Sequence, residues 1–186
     1  LWTDKINEPF SMVLFDHHPD MQPSLFEEML SCGSWVKNML DTNPCLRKVL
    51  IVGAADKLIR SVPDEYKSRV KFYGESVMEH EDAWRSFSHE HVDEPVYISV
   101  DKDVLNTESA VTNWDQGSMS LDSLESLLTI ILRNESVIGI DVCGECTPSL
   151  DLFDEQRSLS IDGKANKELL ALYCRIESAT DSPAVG

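Results

Sequence analysis

The chain lacks the sequence features of a membrane or exported protein. No apolar run approaches the roughly 20 residues that span a bilayer, and no succession of charged, apolar and small residues marks a signal peptide. The five cysteines are odd in number and irregularly spaced, which does not fit a secreted disulfide framework. We therefore expect a cytoplasmic protein with reduced thiols.

Basic residues are also scarce. Only 16 lysines and arginines stand against 33 aspartates and glutamates, which gives a formal net charge of −17. Such a surface repels the phosphates of nucleic acids and anionic membranes, so both are excluded as partners. Most of the acidic excess is expected to be solvated surface that aids solubility. A few carboxylates remain as candidates for cation binding.

A single α/β domain is predicted over residues 1–180, followed by a flexible tail over 181–186. Continuous apolar runs indicate strands that are covered on both faces, and amphipathic segments between them suit crossover helices. The predicted strands are Met12 to Phe15, Val49 to Val52, Val70 to Tyr73, Val96 to Val100 and Val137 to Val142. The predicted helices are Leu25 to Leu30, Ser34 to Leu40, Asp56 to Ser61, Glu81 to Phe87, Leu121 to Arg133 and Asn166 to Ile176.

Two acidic segments, 16–20 and 99–103, end two of these predicted strands. Alternate side chains of an extended segment share a face, which groups Asp16, His18 and Asp20 in the first segment and Ser99, Asp101 and Asp103 in the second. Ligands gather beyond the carboxyl ends of strands in open parallel sheets. Carboxylates with one imidazole suit Mn²⁺ or a similar divalent cation. The pair of segments therefore predicts a binuclear metal site, whereas either segment alone could be an ordinary strand-end turn.

Three other features have simpler interpretations. His17 is out of phase with the proposed ligands, which favours packing or a hydrogen bond. Gly53 is interpreted as a turn after a strand, because no Gly-x-Gly-x-x-Gly pattern accompanies it. Cys143 and Cys146 form a Cys-x-x-Cys pair, which could be a redox disulfide or half a zinc site. No second pair is present in the sequence, so we favour reduced thiols.

Three motifs, in this order, resemble those of the ureohydrolase superfamily, which includes arginase, agmatinase and formimidoylglutamase. Asp16-His17-His18-Pro19-Asp20 resembles the Asp-Ala-His-x-Asp motif of that family. Ser99-Val100-Asp101-Lys102-Asp103 resembles its Ser-x-Asp-x-Asp motif, and Glu145-Cys146-Thr147-Pro148 resembles a Glu-x-Asn-Pro segment. The resemblance implies a three-layer arginase-like fold with a parallel sheet flanked by helices.

The resemblance also implies roles for the motif residues. Asp16 and Asp101 would bridge two Mn²⁺ ions, Asp20 would bind one ion, and His18 with Asp103 would bind the other. Asp20 would also carry a proton, and Glu145 would hold the cationic group of the substrate. A sixth ligand is expected from a His upstream of Asp16, and no His precedes Asp16 here. The expectation is either a missing N-terminal part or a degenerate site.

The implied function is hydrolysis of a carbon-nitrogen bond in a small cationic guanidino or amidino compound, with a metal-bridging hydroxide as nucleophile. Departures from the family pattern, such as Val104 to Thr107 in place of Asp-Pro, argue against arginine itself as substrate. The resemblance further implies that copies of the chain can assemble. The alternative is a catalytically inactive relative with a binding or structural role, and a Cys-x-x-Cys redox protein is a third hypothesis.

Overall fold

A sheet of five parallel strands forms the centre of the protein in the computed structural model, which describes residues 2–23, 30–90, 92–147 and 152–180. The strands are β1 Phe10–Phe15, β2 Leu46–Val52, β3 Val70–Tyr73, β4 Val96–Asp101 and β5 Val137–Cys143. Their order across the sheet is β3-β2-β1-β4-β5, and every neighbouring pair is parallel. The five strand predictions and the parallel α/β class are confirmed.

Helices connect and cover the strands. They are α1 Trp35–Thr42, α2 Asp56–Ile59, α3 Glu75–Met78, α4 Glu81–Ser88, α5 Leu121–Asn134 and α6 Leu152–Thr180. Five of the predicted helices are confirmed with shifted ends, and the predicted helix Leu25 to Leu30 lies, except for Leu30, outside the described residues. The predicted tail, 181–186, also lies outside them. Within the described ranges, no helix is both long and apolar enough to cross a membrane.

The two faces of the sheet each carry an apolar core. On one face, strand residues such as Val13, Ile98 and Val100 pack with side chains of α5 and α6, including Leu124 and Leu169. The opposite face packs with α1, and its residues include Met12, Leu14, Tyr97, Val36 and Met39. This arrangement explains why the strands are continuously apolar, since both faces of a parallel sheet are covered. The result is a helix, sheet and helix sandwich.

Strand register brings the ends of β1, β4 and β5 together. Phe15 pairs with Val100, and Val100 pairs with Val142, so the residues that follow are also neighbours. Asp101 pairs with Cys143, and Asp16 comes next after Phe15. Because parallel strands end at the same edge of the sheet, the two acidic segments lie next to each other there.

Gly53, which follows β2, illustrates how tightly this edge is packed. Its φ is +93°, and a Cβ atom at this position would lie 2.3 Å from Cγ2 of Val104. The neighbouring turn, Lys102–Val104, carries Asp103. The residue at position 53 therefore needs both the left-handed conformation and the absence of a side chain.

We expect Gly53→Ala to lower the free energy of unfolding by about 1–3 kcal/mol, because alanine is strained at this φ and its methyl group meets Val104. Gly163→Ala is the matched control. Gly163 lies in α6 with no heavy atom within 4 Å of a built Cβ, so the same substitution should raise stability by about 0.5–1 kcal/mol. Urea unfolding measures both values, and equal effects would contradict the assigned role of Gly53.

Candidate metal centre

Asp16, His18 and Asp103 form the centre of the candidate site. One potential ligand atom from each lies within 4.8 Å of the other two. His18 Nδ1 is 2.8 Å from Oδ2 of Asp103 and 3.6 Å from Oδ1 of Asp16. Both aspartates are 2% exposed, and His18 is half-buried at the surface of a cavity. Two remote parts of the chain therefore meet at coordination distance.

Backbone amides fix both carboxylates. After β1 the chain turns, so that the His18 amide donates to Oδ1 of Asp16 at 2.6 Å and the His17 amide donates to Oδ1 of Asp103 at 3.0 Å. Asp101 caps the turn that follows β4, where its Oδ1 accepts from the Asp103 amide at 3.0 Å. These bonds orient the acidic groups before any ligand arrives and compensate part of the cost of burying them.

Asp20 and Asp101 complete the set of predicted ligands. They lie outside the group of three, but all five predicted ligands line one cavity of about 510 Å³. Asp20 has a φ of +52°, and its Oδ2 accepts a hydrogen bond from Nε1 of Trp35 at 2.5 Å. Trp114 also lines this cavity.

Burial dominates the electrostatics of the carboxylates. It raises the pKa of Asp16 well above the usual range, opposed by the hydrogen bond with His18 and assisted by the charges of neighbouring aspartates. It likewise raises the pKa of Asp20 to about 7, against the hydrogen bond from Trp35. Burial and then the charge of Asp103 raise the pKa of Asp101. The metal-free site therefore tends to retain protons.

Hydrogen bonds, and not burial, dominate the pKa of His18. Hydrogen bonds with Asp103 and then Asp16 raise its pKa to about 10, so that it carries a positive charge at neutral pH. Nowhere in the described ranges does a lysine or arginine form an ion pair with the four aspartates of the site. A protonated His18 is thus the local countercharge in place of a metal ion.

The donor set fits a divalent cation. Two buried carboxylates and one imidazole supply oxygen and nitrogen donors, with two further carboxylates in the same cavity. Hard and borderline ions such as Mn²⁺ take this combination, whereas a soft ion would prefer thiolates. Deprotonation of His18 and of the aspartates would accompany metal binding.

Glu145 is not brought into this group. The Lys102 side chain, which is completely buried, donates from Nζ to Oε1 of Glu145 at 2.6 Å. Asn166 of α6 donates to the same oxygen at 2.9 Å, and Asp162 of α6 lies 3.9 Å from Lys102 Nζ. Lys102 lies between Asp101 and Asp103 in the sequence, but its side chain points to the α6 face of the sheet.

Asp141 is a site residue that the sequence analysis did not identify. Its two carboxylate oxygens accept hydrogen bonds from Tyr97 at 2.7 Å and from Ser99 at 2.8 Å. Together with Asp16 and Asp101 it lines a second cavity of about 740 Å³. The available signal was a charged residue within the apolar run Val137 to Val142.

The Cys-x-x-Cys pair is reduced in the structure. Cys143 donates from Sγ to Oδ2 of Asp101 at 3.4 Å, while Cys146 donates to the Thr147 carbonyl. Both are free cysteines. The Cys143 thiol therefore lies beside Asp101 at the edge of the site.

Comparisons with known proteins point to one family. The model of the Arginase family matches residues 2–161. An uncharacterized protein of Thermotoga maritima is 34% identical over 158 residues, which cover 85% of this chain and 57% of that protein. The chain thus spans a little over half the length of this curated relative.

Solved structures show the same fold. Agmatine ureohydrolase of Thermoplasma volcanium superposes with a TM-score of 0.69 at 17% identity, over 93% of this chain and 56% of that one. Formimidoylglutamase of Bacillus subtilis superposes with a TM-score of 0.65 at 21% identity, over 88% of this chain and 52% of that one. At these identities the likeness concerns the fold.

We expect Lys102→Met to lower the free energy of unfolding by about 1–3 kcal/mol, because Asp162 would be left buried without its nearby ammonium group. Lys164→Met is the matched control on an exposed position of α6, and it should change stability by less than about 0.5 kcal/mol. Urea unfolding compares the two variants. A Lys102→Met protein as stable as the control would contradict a role of this lysine in holding α6.

A second prediction concerns pH. The folded-state pKa of Asp20, about 7, exceeds its ordinary value of 3.8, and that of His18, about 10, exceeds 6.5. Both groups therefore favour the metal-free fold at low pH, and their contributions are lost as pH rises from about 4 to 7 and from about 6.5 to 10 respectively. Added Mn²⁺ should raise the unfolding temperature more at about pH 8 than at about pH 6, because fewer protons compete with it. An equal rise at both values would contradict this linkage.

Proposed function

The chain belongs to the arginase family, and on that basis we propose that it is a metal-dependent hydrolase of a carbon-nitrogen bond in a guanidino or amidino compound. The observation that carries the proposal is the convergence of Asp16, His18 and Asp103 within 4.8 Å at the carboxyl edge of the sheet. Fold alone does not define an activity, so the argument depends on this site.

Two Mn²⁺ ions are the proposed cofactor. Asp16, His18 and Asp103 would hold one ion, and Asp20 and Asp101 would contribute to a second with Asp16. A bound divalent cation lowers the pKa of a coordinated water enough for attack at neutral pH. The buried carboxylates and His18 would release their protons as they become ligands.

Asp20 is the proposed proton carrier. The attacking water would form a bond to the amidine carbon and give its proton to Asp20. Asp20 would then return that proton to the departing nitrogen as the carbon-nitrogen bond breaks. Trp35, which donates to Oδ2 of Asp20, would hold the carboxyl group in place.

A small cationic substrate fits the charge of the site. Four aspartates line the cavity of about 510 Å³, and the chain as a whole carries a formal charge of −17. A guanidinium or amidinium group is attracted to such a cavity, whereas nucleic acid and anionic membranes are repelled. The names of the structural neighbours, agmatine ureohydrolase and formimidoylglutamase, support this substrate class.

The proposal also covers the cellular location of the protein and its assembly. We propose a cytoplasmic protein, because all five cysteines are free thiols and reduced thiols are typical of that compartment. Association of identical copies is proposed on the family resemblance alone.

A non-catalytic member of the family is the second candidate. It is favoured by two observations: the tight ligand group contains three residues, and Lys102 occupies the carboxylate of Glu145. Such a protein would bind a single divalent cation and release no product. Elemental analysis of the purified protein distinguishes one bound ion from two.

We expect Asp103→Asn to lower the Mn²⁺ content by about one ion per chain and the Mn²⁺-dependent release of urea or ammonia by at least about 100-fold, because an amide is a poor replacement for a ligating carboxylate. Asp115→Asn is the control, since the Asp115 side chain is 71% exposed and lies outside the metal-binding group. Activity that survives in Asp103→Asn, or that needs no metal in the wild type, would overturn the proposal.

A further inference from the structure

Two acidic residues, Asp141 of β5 and Glu145 shortly after it, lie on opposite faces of the sheet. Asp141 pairs with Ser99 and Cys143 pairs with Asp101, so these side chains share the face of Leu14 and α1. Regular alternation would place residue 145 on that face as well. Gly144 interrupts the alternation with a φ of +89°, and Glu145 instead reaches Lys102 and Asn166 on the α6 face.

Only glycine fits at this interruption. A Cβ atom on residue 144 would lie 2.4 Å from Oδ1 of Asp101 and 2.7 Å from the Lys102 amide nitrogen. The turn therefore packs directly against the strand that carries Asp101. Because the backbone is held this closely, the orientation of Glu145 follows from the turn rather than from a freely rotating side chain.

Glu145 already has its countercharge. Lys102 Nζ, which is inaccessible to solvent, is 2.6 Å from its carboxylate, and the pKa of Glu145 is held below its usual range chiefly by that bond. Glu145 lines a cavity of about 440 Å³ with Leu128, Val142 and Asn166, and none of the candidate metal ligands borders that cavity. A substrate cation at Glu145 would share the carboxylate with a buried ammonium group.

Asp141 differs from Glu145 in its ion pairing and in the cavity that it borders. In the described part of the chain it forms no ion pair with a lysine or arginine. Tyr97 and Ser99 each donate to one of its oxygens, which fixes the plane of the carboxylate and leaves a second lone pair on each oxygen. A planar cation with paired N–H groups is the ligand that such a carboxylate binds best.

The cavity in front of Asp141 connects it with the metal centre. Asp16 and Asp101 line the same space of about 740 Å³. They stand one side-chain row further along the strands than Asp141, which is about 6.6 Å at the rise of a parallel strand. The remaining wall is largely apolar, with Leu14, Leu30, Val142 and Trp35 among its residues. One small molecule can therefore contact Asp141 and reach the metal carboxylates.

We propose that Asp141, and not Glu145, is the residue that binds the cationic head of the substrate, and that the apolar wall of the same cavity accepts a short alkyl chain. This inference rests on the proposed function, because it assigns the substrate group of that same site. The substrate class is then a monoalkyl guanidinium or amidinium compound. Asp141 recognises charge through its carboxylate, while proton transfer stays with Asp20.

A pair of probes of equal shape tests the assignment. Butylguanidinium and butylurea differ in charge but hardly in size, and their binding to the Mn²⁺-loaded full chain can be measured by calorimetry. The wild type should prefer butylguanidinium by at least about 10-fold, the usual value of a charge-assisted hydrogen-bond pair. Asp141→Asn should abolish that preference with little change in butylurea binding and in Mn²⁺ content, whereas Glu145→Gln should keep the preference within about twofold.

The outcomes are distinguishable. Loss of the preference in Glu145→Gln with retention in Asp141→Asn overturns the inference, as does a wild type without any preference. Should Asp141→Asn fail to fold, Ser99→Ala removes one of the donors that orient the carboxylate and should reduce the preference about threefold or more, while an unchanged preference would overturn the inference. Metal-dependent hydrolysis that continues while the inference fails leaves the proposed function standing. Preferential binding without any hydrolysis contradicts the proposed function alone.

Discussion

The burial of two carboxylates, Asp16 and Asp103, within contact distance of one imidazole is the constraint on which the site depends. Burying like charges side by side is costly, and each unpaired ion costs several kcal/mol after relaxation. Backbone amides from the loop after β1 and a protonated His18 compensate part of that cost. These groups tend to hold protons, and a divalent cation would replace those protons.

The two faces of the sheet carry different charged groups. The α1 face carries the ligand group and Asp141, whereas the α6 face carries Lys102, Glu145 and Asp162. If Lys102 pointed toward the ligand group, it would neutralise the carboxylates and compete with a cation. Its complete burial against α6 keeps the positive charge away from them and links the last helix to the strand that bears Asp101.

Membership in the arginase family is shown by the sequence, whereas the likeness to solved ureohydrolases concerns the fold. The family model matches residues 2–161, whereas the solved neighbours share about a fifth of their residues with this chain and extend well beyond it. The part that superposes is about nine-tenths of this chain. Substrate recognition is where relatives with one fold diverge, and here the glycine turn at residue 144 redirects the acidic residue that follows it.

The sequence by itself determined the five strands and most of the helices, because apolar runs are local patterns. Alternating acidic side chains, also a local pattern, predicted five ligands that all line one cavity. Only the tertiary structure decided the orientation of Lys102 and Glu145 and the place of Asp141 beside Asp16. Those positions depend on strand register between β4 and β5 and on the positive φ of Gly144. A periodic pattern does not encode the register of two strands that are far apart in the chain, nor the direction of a single turn. Both depend on how the sheet packs against α6.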